Sequence, residues 1–500
     1  MTRQEKAKLT LRIAGAALIV WILPHLYLSI RQFVAMGFRP KDAPVLLWLL
    51  VDWPLLTALM GVVLLLLPGR VARQIFRGEE DRPLSQPEEL LQIGIFLIGI
   101  VAVPAWVSLM LLALLAPPPQ LGFLVSGVIF AAVAFWMLVF PGRLRKALSP
   151  RMAVAAESSR TPAPLLALGF LLLGLYFCTS KVSSIVGPVV VVLATRPPDD
   201  WAPGAFRHYL LAGIVSNGLA LIAAFVLLLW AGPLASLLAG RANGQEEAEQ
   251  TYAKPGPRTY FELALFVGVT YLFFRCLPHL VRSPIFAWQG TAALGALAHF
   301  VAAPAIAAAL VFFLAGRLLP KIAGLLYPTE PGGVAAGHAM GEAAITILAL
   351  YFSTDYLLHY HLIRQIAIAG SWQPQIYLFE LARLLPGLAS LGILAFRGDL
   401  AHLARRPKRE EQVFSRRALA RMLRPWLALL GMFLVLSDGP PALYWAGAKL
   451  LGLQPGAPGV PYLPRLGFVP GFVFILAAGT LSRWLSFGRL VPKIWPPPAK

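Results

Sequence analysis

Asp355, His359, Glu380 and Arg383 lie in apolar stretches of the chain, where an ionisable side chain at the centre of a bilayer costs about 3 kcal/mol or more. Asp355 and His359 are spaced i, i+4, and Glu380 and Arg383 i, i+3, so each pair shares one face of a helix. Counted along outgoing and returning helices at about 1.5 Å per residue, Asp355 and Glu380 both lie about 10 Å from the same membrane surface. Antiparallel neighbours would bring all four together. Two carboxylates, a guanidinium and an imidazole could relay a proton or cation, or could clamp a hairpin as a buried ion pair. Arg275 and His279 form a further i, i+4 pair, and Pro278-His279-Leu280 repeats Pro24-His25-Leu26. These six residues, Asp355, His359, Glu380, Arg383, Arg275 and His279, are the candidates for a substrate or ion pathway. His25, Lys181, His279 and Asp52 read as a polar ring at the non-cytoplasmic interface, the side near which Asp438 also falls.

Other chemistry is missing from the sequence. It has no Walker loop, GxSxG, HExxH or CxxC pair, so phosphate-cradling, nucleophile-elbow and zinc chemistries lose their usual scaffolds. His338 and Glu342 are spaced as two metal ligands without a third, and read as a polar helix start. No metal, cofactor or catalytic residue is expected, and a non-enzymatic role is preferred. Cys178 and Cys276 both fall in apolar runs and read as small buried hydrophobes rather than a disulfide framework.

The elements that hold these residues follow from composition. The chain has 500 residues, of which 58% are hydrophobic and 13% charged, with mean hydropathy +0.71. It is far too apolar for a soluble protein of this length. Apolar runs of roughly 20 residues, long enough for a helix to cross about 30 Å of hydrocarbon, predict transmembrane helices rather than barrel strands, which alternate with period two. They pair as 9–30 with 45–67, 89–115 with 121–141, 164–187 with 209–231, 260–280 with 291–315, 342–363 with 375–396, and 426–443 with 466–487. The expected fold is therefore all-α and polytopic, with about twelve helices. The segment 180–208 leaves room for a re-entrant turn.

The second run of each pair ends in a related motif, as in "LLLLPGRVARQIF", "LVFPGRLRKALS" and "FFLAGRLLPKIA". Its glycine recurs as Gly69, Gly142, Gly232, Gly316, Gly398 and Gly479, a period of about 80 residues that marks internal duplication. The prediction is one membrane domain over 1–500 made of six two-helix hairpins, at approximately 1–78, 79–151, 152–242, 243–326, 327–409 and 410–500. Most of the 43 Lys and Arg residues fall at the N-terminus, after these glycines and at the C-terminus. By the positive-inside rule both termini are then cytoplasmic. The glycine is expected to end or loosen its helix, with Arg70, Arg73 and Arg77 in the headgroup layer and Val71, Ile75 and Phe76 facing acyl chains. Arg143, Arg145, Lys146, Arg417 and Arg421 are read as interface anchors of the same kind. Their first task is orientation, and anionic lipids at the cytoplasmic face are the partner they suit.

The net charge of +20 therefore points to the membrane surface and not to nucleic acid. An abundance of Ala, Leu, Arg, Gly and Pro matches high-GC bacterial coding, and the expected location is a bacterial inner membrane. The leading expectation is a transporter or lipid-handling protein with a polar outward-facing vestibule. A non-catalytic scaffold for other membrane proteins is the rival, and a transferase acting on a lipid phosphate through Arg275 and Arg383 is the third class. Substrate, coupling ion and oligomeric state are not written in the sequence.

Overall fold

The computed structural model describes residues 3–36, 53–77, 85–115, 121–158, 163–194, 203–239, parts of 258–271, 325, 327, 334–357, 387–397, 416–450 and 465–487. Nearly all of them are helical, and there is no strand among them. Four helices contain segments long and apolar enough to cross a membrane: Gln86–Val107, Ala163–Val186, Gly213–Leu238 and Leu423–Leu450. Three further pairs pass the same test as one span each but are sharply bent, which raises the total to as many as seven among the described residues. The protein is thus all-helical with four to seven candidate spans in its described part.

The chain forms two compact units, 1–245 with 433–468, and 246–432 with 469–500. In the first, α1 (Arg3–Met36) packs on α2 (Trp53–Leu66), α4 (Gln86–Leu115) on α5 (Leu121–Val139), and α7 (Ala163–Ala194) on α8 (Pro203–Ala239). Consecutive long helices therefore pair. The short α3 (Pro68–Ile75) follows α2, and α6 (Pro141–Ser158) follows α5. The second unit contains α9 (Val334–Leu357), helical residues at 387–395, α11 (Phe468–Leu476) up to a boundary within its first turn, and α12 (Ala478–Phe487), while α10 (Arg416–Leu450) is divided between the units.

Close helix contact rests on small residues at one register. A Cβ on Gly15 of α1 would come within 2.6 Å of the Gly61 carbonyl oxygen in α2, and one on Gly431 within 2.5 Å of the Gly471 carbonyl oxygen. Neither distance is possible for a side-chain carbon, so these backbones touch only because Gly15 and Gly431 lack one. Gly61 and Gly471 each lie eight residues before a motif glycine, as do Ala134, Ala224 and Ser390. Ala134 and Ser390 are fully buried, Ala224 meets Gly174 of α7 through its carbonyl, and Ser390 exchanges a 2.8 Å hydrogen bond with Ser353 of α9.

The ends of the second helices also share a construction. The chain breaks at Leu67, Phe140, Phe396 and Ala477, each two residues before a motif glycine. Helix direction changes by 90° between α2 and α3, 82° between α5 and α6, and 83° between α11 and α12. The break residue keeps its own bond inward, its N–H donating to Val63, Trp136, Gly392 or Val473 at 2.8 to 3.1 Å. The carbonyls of Leu67 and Phe140 accept from the N–H groups of Arg70 and Arg143 at 3.1 Å. A right-angle turn is thereby made without orphaning the break residue's peptide groups, which hydrocarbon would penalise. Pro68 and Pro141 occupy the first helical position after the break, where no donor is needed. The expectation that every motif glycine interrupts its helix fails at Gly232, since α8 runs through Gly232 and Pro233 to Ala239. There the proline follows the glycine and starts no new helix.

Residues Val71, Ile75 and Phe76 also differ from expectation. Ile75 and Phe76 are buried, and Val71 is partly so, packed with Ala72 against Ala7 and Leu11 of α1. The apolar face of α3 is thus used inside the protein rather than on acyl chains, because the bend folds it back onto the neighbouring helix. Its end is closed by Gln92 of α4, whose side-chain nitrogen donates to the Ile75 carbonyl at 2.8 Å. Ser85 and Glu88 begin α4 with a capping contact, the Ser85 N–H and hydroxyl both donating to the Glu88 carboxylate at 2.9 and 2.8 Å.

Candidate functional site

The first unit encloses a cavity of about 170 Å³ between α1, α2, α4, α5 and α7. Each helix supplies a wall, among them Trp21, Thr57, Pro104, Phe130, Tyr176 and Thr179. Thr57 and Phe130 stand at matching positions, each ten residues before the break that ends its helix. At about 1.5 Å per residue the cavity therefore lies about 15 Å above the bends, half the thickness of a hydrocarbon core. Half of the lining residues are buried, and Val101 and Tyr176 are 36% and 42% exposed.

Two hydroxyl groups of the wall bond within their own helix. Thr179 donates to the Leu175 carbonyl at 2.8 Å, and Ser180 donates to the Phe177 carbonyl at 3.2 Å. The lining is otherwise mainly apolar, and the volume is close to the roughly 150 Å³ of a cavity that accepts benzene-sized ligands. Such a site takes hydrocarbon and offers little to an ion. No family model matches the chain, and neither a curated protein nor a solved structure matches it. The site must be read from its own residues.

Beneath the cavity lies a basic face built on the bends. Arg70, Arg73, Arg77, Arg143 and Lys146 are exposed on α3, α6 and the residues beside them, and the Arg143 guanidinium stacks 4.8 Å over the Phe140 ring. Arg145, expected beside them as an anchor, is instead buried, so the surface of α6 is carried by Arg143 and Lys146. Among the described residues, Glu89 faces Lys6 at 3.4 Å and Arg3 at 4.0 Å, and Glu88 is held by Ser85. Arg3 also lies 4.0 Å from the centre of the Phe76 ring. Arg417 and Arg421 lie on α10, with side chains outside the described residues.

Of the six pathway candidates, Asp355 sits half-buried on α9, among the aromatic residues Phe352 and Tyr356, whose rings stack with centroids 5.9 Å apart. His359, Glu380, Arg383, Arg275 and His279 lie outside the described residues. A different ion pair belongs to the same unit and was not foreseen: Arg397, with its side chain 6% exposed, faces Glu342 at 3.3 Å. Its guanidinium also donates to the Leu394 carbonyl at 2.8 Å and to the Leu485 carbonyl of α12. Glu342 therefore serves a charge partner rather than a metal pair with His338. The only signal for it in the sequence was Arg397 beside a motif glycine. Asp438 of α10 is buried with its carboxylate against the backbone of Gly467, and Ser437 donates to it at 3.1 Å. Among the described residues no cluster of three or more metal-ligating side chains occurs.

Proposed function

We propose that the protein is a lipid-handling membrane protein of six hairpins and twelve spans, with both termini in the cytoplasm of a bacterial cell. The observation that supports lipid handling is the cavity, about 15 Å above the bends, with a mainly apolar lining that includes the exposed Val101 and Tyr176. At that depth the surroundings are acyl chains, and the wall's serine and threonine hydroxyls at 179 and 180 are committed to helix carbonyls. A hydrocarbon tail suits this site better than an ion or a sugar. The hairpin repeat is supported by the shared register of small residues eight before the motif glycine and of breaks two before it. The topology is supported by the basic bias on the side of the bends.

The lipid reading is tested by reconstituting the whole protein with phosphatidylcholine that carries a photoreactive diazirine in mid-chain. Peptides containing Val101 and Tyr176 are expected to be labelled well above the outward-facing Phe135 and Trp230. Labelling at the outward-facing positions alone would overturn it.

A further inference from the structure

Pro104 lies inside α4 and in the wall of the cavity, and Ile100 lines the same wall. In a helix the carbonyl of one residue accepts from the N–H four residues on, and a proline has no N–H to give. The Ile100 carbonyl therefore lacks its ordinary donor, and the ring of Pro104 crowds it away from the helix axis. Because a helical carbonyl points along the chain, from Ile100 towards Pro104, this oxygen lies on the face of α4 that bounds the cavity. Ile100 is only 8% exposed, and a buried acceptor is costly to leave without a partner.

Two further wall groups have the same sense. Thr179 and Ser180 have one hydroxyl hydrogen each, and these go to the Leu175 and Phe177 carbonyls at 2.8 and 3.2 Å, so what the two oxygens offer a ligand is lone pairs. Among the described residues, no acidic or basic side chain lines the cavity. Trp21, Phe130 and Tyr176 bring aromatic rings to the wall from α1, α5 and α7. A volume of about 170 Å³ suits a single benzene-sized ring, which aromatic walls take edge-on or offset. The matching ligand is a flat, uncharged ring that carries a hydrogen-bond donor. Resting on the lipid reading above, we propose that the occupant is a phenolic lipid, its ring against Trp21, Phe130 and Tyr176 and its hydroxyl donated to the Ile100 carbonyl. A plain acyl chain would fill the same space without making that hydrogen bond.

The test uses the whole protein in phosphatidylcholine vesicles containing the same mid-chain diazirine lipid, and measures what displaces its label from the Val101 and Tyr176 peptides. Phenol, anisole and toluene are compared by their concentration in the bilayer. Phenol is expected to displace the label at a roughly fivefold lower concentration than toluene, the effect of one neutral hydrogen bond. Anisole has the oxygen but no donor and should behave like toluene. Equal potency of all three would overturn the phenolic hydroxyl, and displacement by none would overturn the ring, in both cases with the lipid reading intact. Anisole as potent as phenol would overturn donation to a wall acceptor. These comparisons use the wild-type chain and require no variant to fold. Pro104→Ala supplies the missing N–H, and is expected to bring phenol to the level of toluene while toluene still displaces the label. A phenol advantage that survives this variant would overturn the Ile100 carbonyl as the acceptor. Absence of label from both peptides before any competitor is added would instead remove the lipid reading itself.

Discussion

Single residues decide how closely the helices approach. Gly15 and Gly61 meet backbone to backbone, as do Gly431 and Gly471. Replacing Gly61 or Gly431 by Ile must push two helices apart, and overpacking of this kind costs about 1–3 kcal/mol. A lower unfolding temperature in detergent is expected for both, whereas Gly213→Ala, with open space around it, should leave it unchanged. Gly467 makes a related demand, because a Cβ there would collide with the buried Asp438 carboxylate. The Arg397–Glu342 pair supplies a second prediction. Removing one partner of a buried pair leaves the other uncompensated, at about 3–5 kcal/mol when burial is complete and less here, where the Glu342 side chain is 21% exposed. Thermal unfolding of Glu342→Gln, Arg397→Gln and the double variant is expected to show a coupling, with the double variant less damaged than the sum of the singles. Strict additivity would show that the pair does not act as a unit. None of this was legible from residue type, since an apolar run with a glycine in it looks the same whether or not that glycine touches another backbone.

At the level of elements, the bend is the part that sequence reading came closest to. The recurrent Pro-Gly-Arg at 68–70 and 141–143 correctly located a stop, and the stop is a right-angle turn with its peptide groups paired. What the short helix does with its apolar face was misread, because an amphipathic pattern states only that one side is buried and not against what. Ile75 and Phe76 chose α1 over lipid. Single cysteines placed at Arg73 and Arg143, with Cys178 and Cys276 replaced by alanine, are expected to react with a membrane-impermeant maleimide from one and the same side. Labelling from opposite sides would break the paired arrangement of the first two hairpins.

For the whole molecule, the proposed twelve spans and the basic bias together predict that an alkaline phosphatase fused after Lys500 is inactive in the periplasmic assay, while a fusion within residues 37–45 is active. Activity at the C-terminus would overturn the proposed topology, through an odd number of spans or an inverted orientation. The two compact units each carry their own version of the small-residue contact, at Gly15 with Gly61 in the first and Gly431 with Gly471 in the second. If the hairpins descend from one element, this contact is the feature a duplication would preserve, because it depends on two residues having no side chain.

Composition and periodicity by themselves indicated apolar helices of membrane-spanning length and the stops at Pro-Gly-Arg 68–70 and 141–143. These properties are local or additive: span length, charge bias and turn chemistry are sums over neighbouring residues and need no knowledge of who packs on whom. The cavity under Trp21 and Thr57, the Arg397–Glu342 pair and the inward face of α3 were decided only by tertiary structure. Each joins residues far apart in the chain, from 18 to 180 around the cavity and from 342 to 397 in the ion pair. Polar residues in apolar runs drew attention to Asp355 and Glu380 because their cost is visible in one dimension. A hollow between apolar helices has no such signature, since the same leucines and valines line a cavity or fill it.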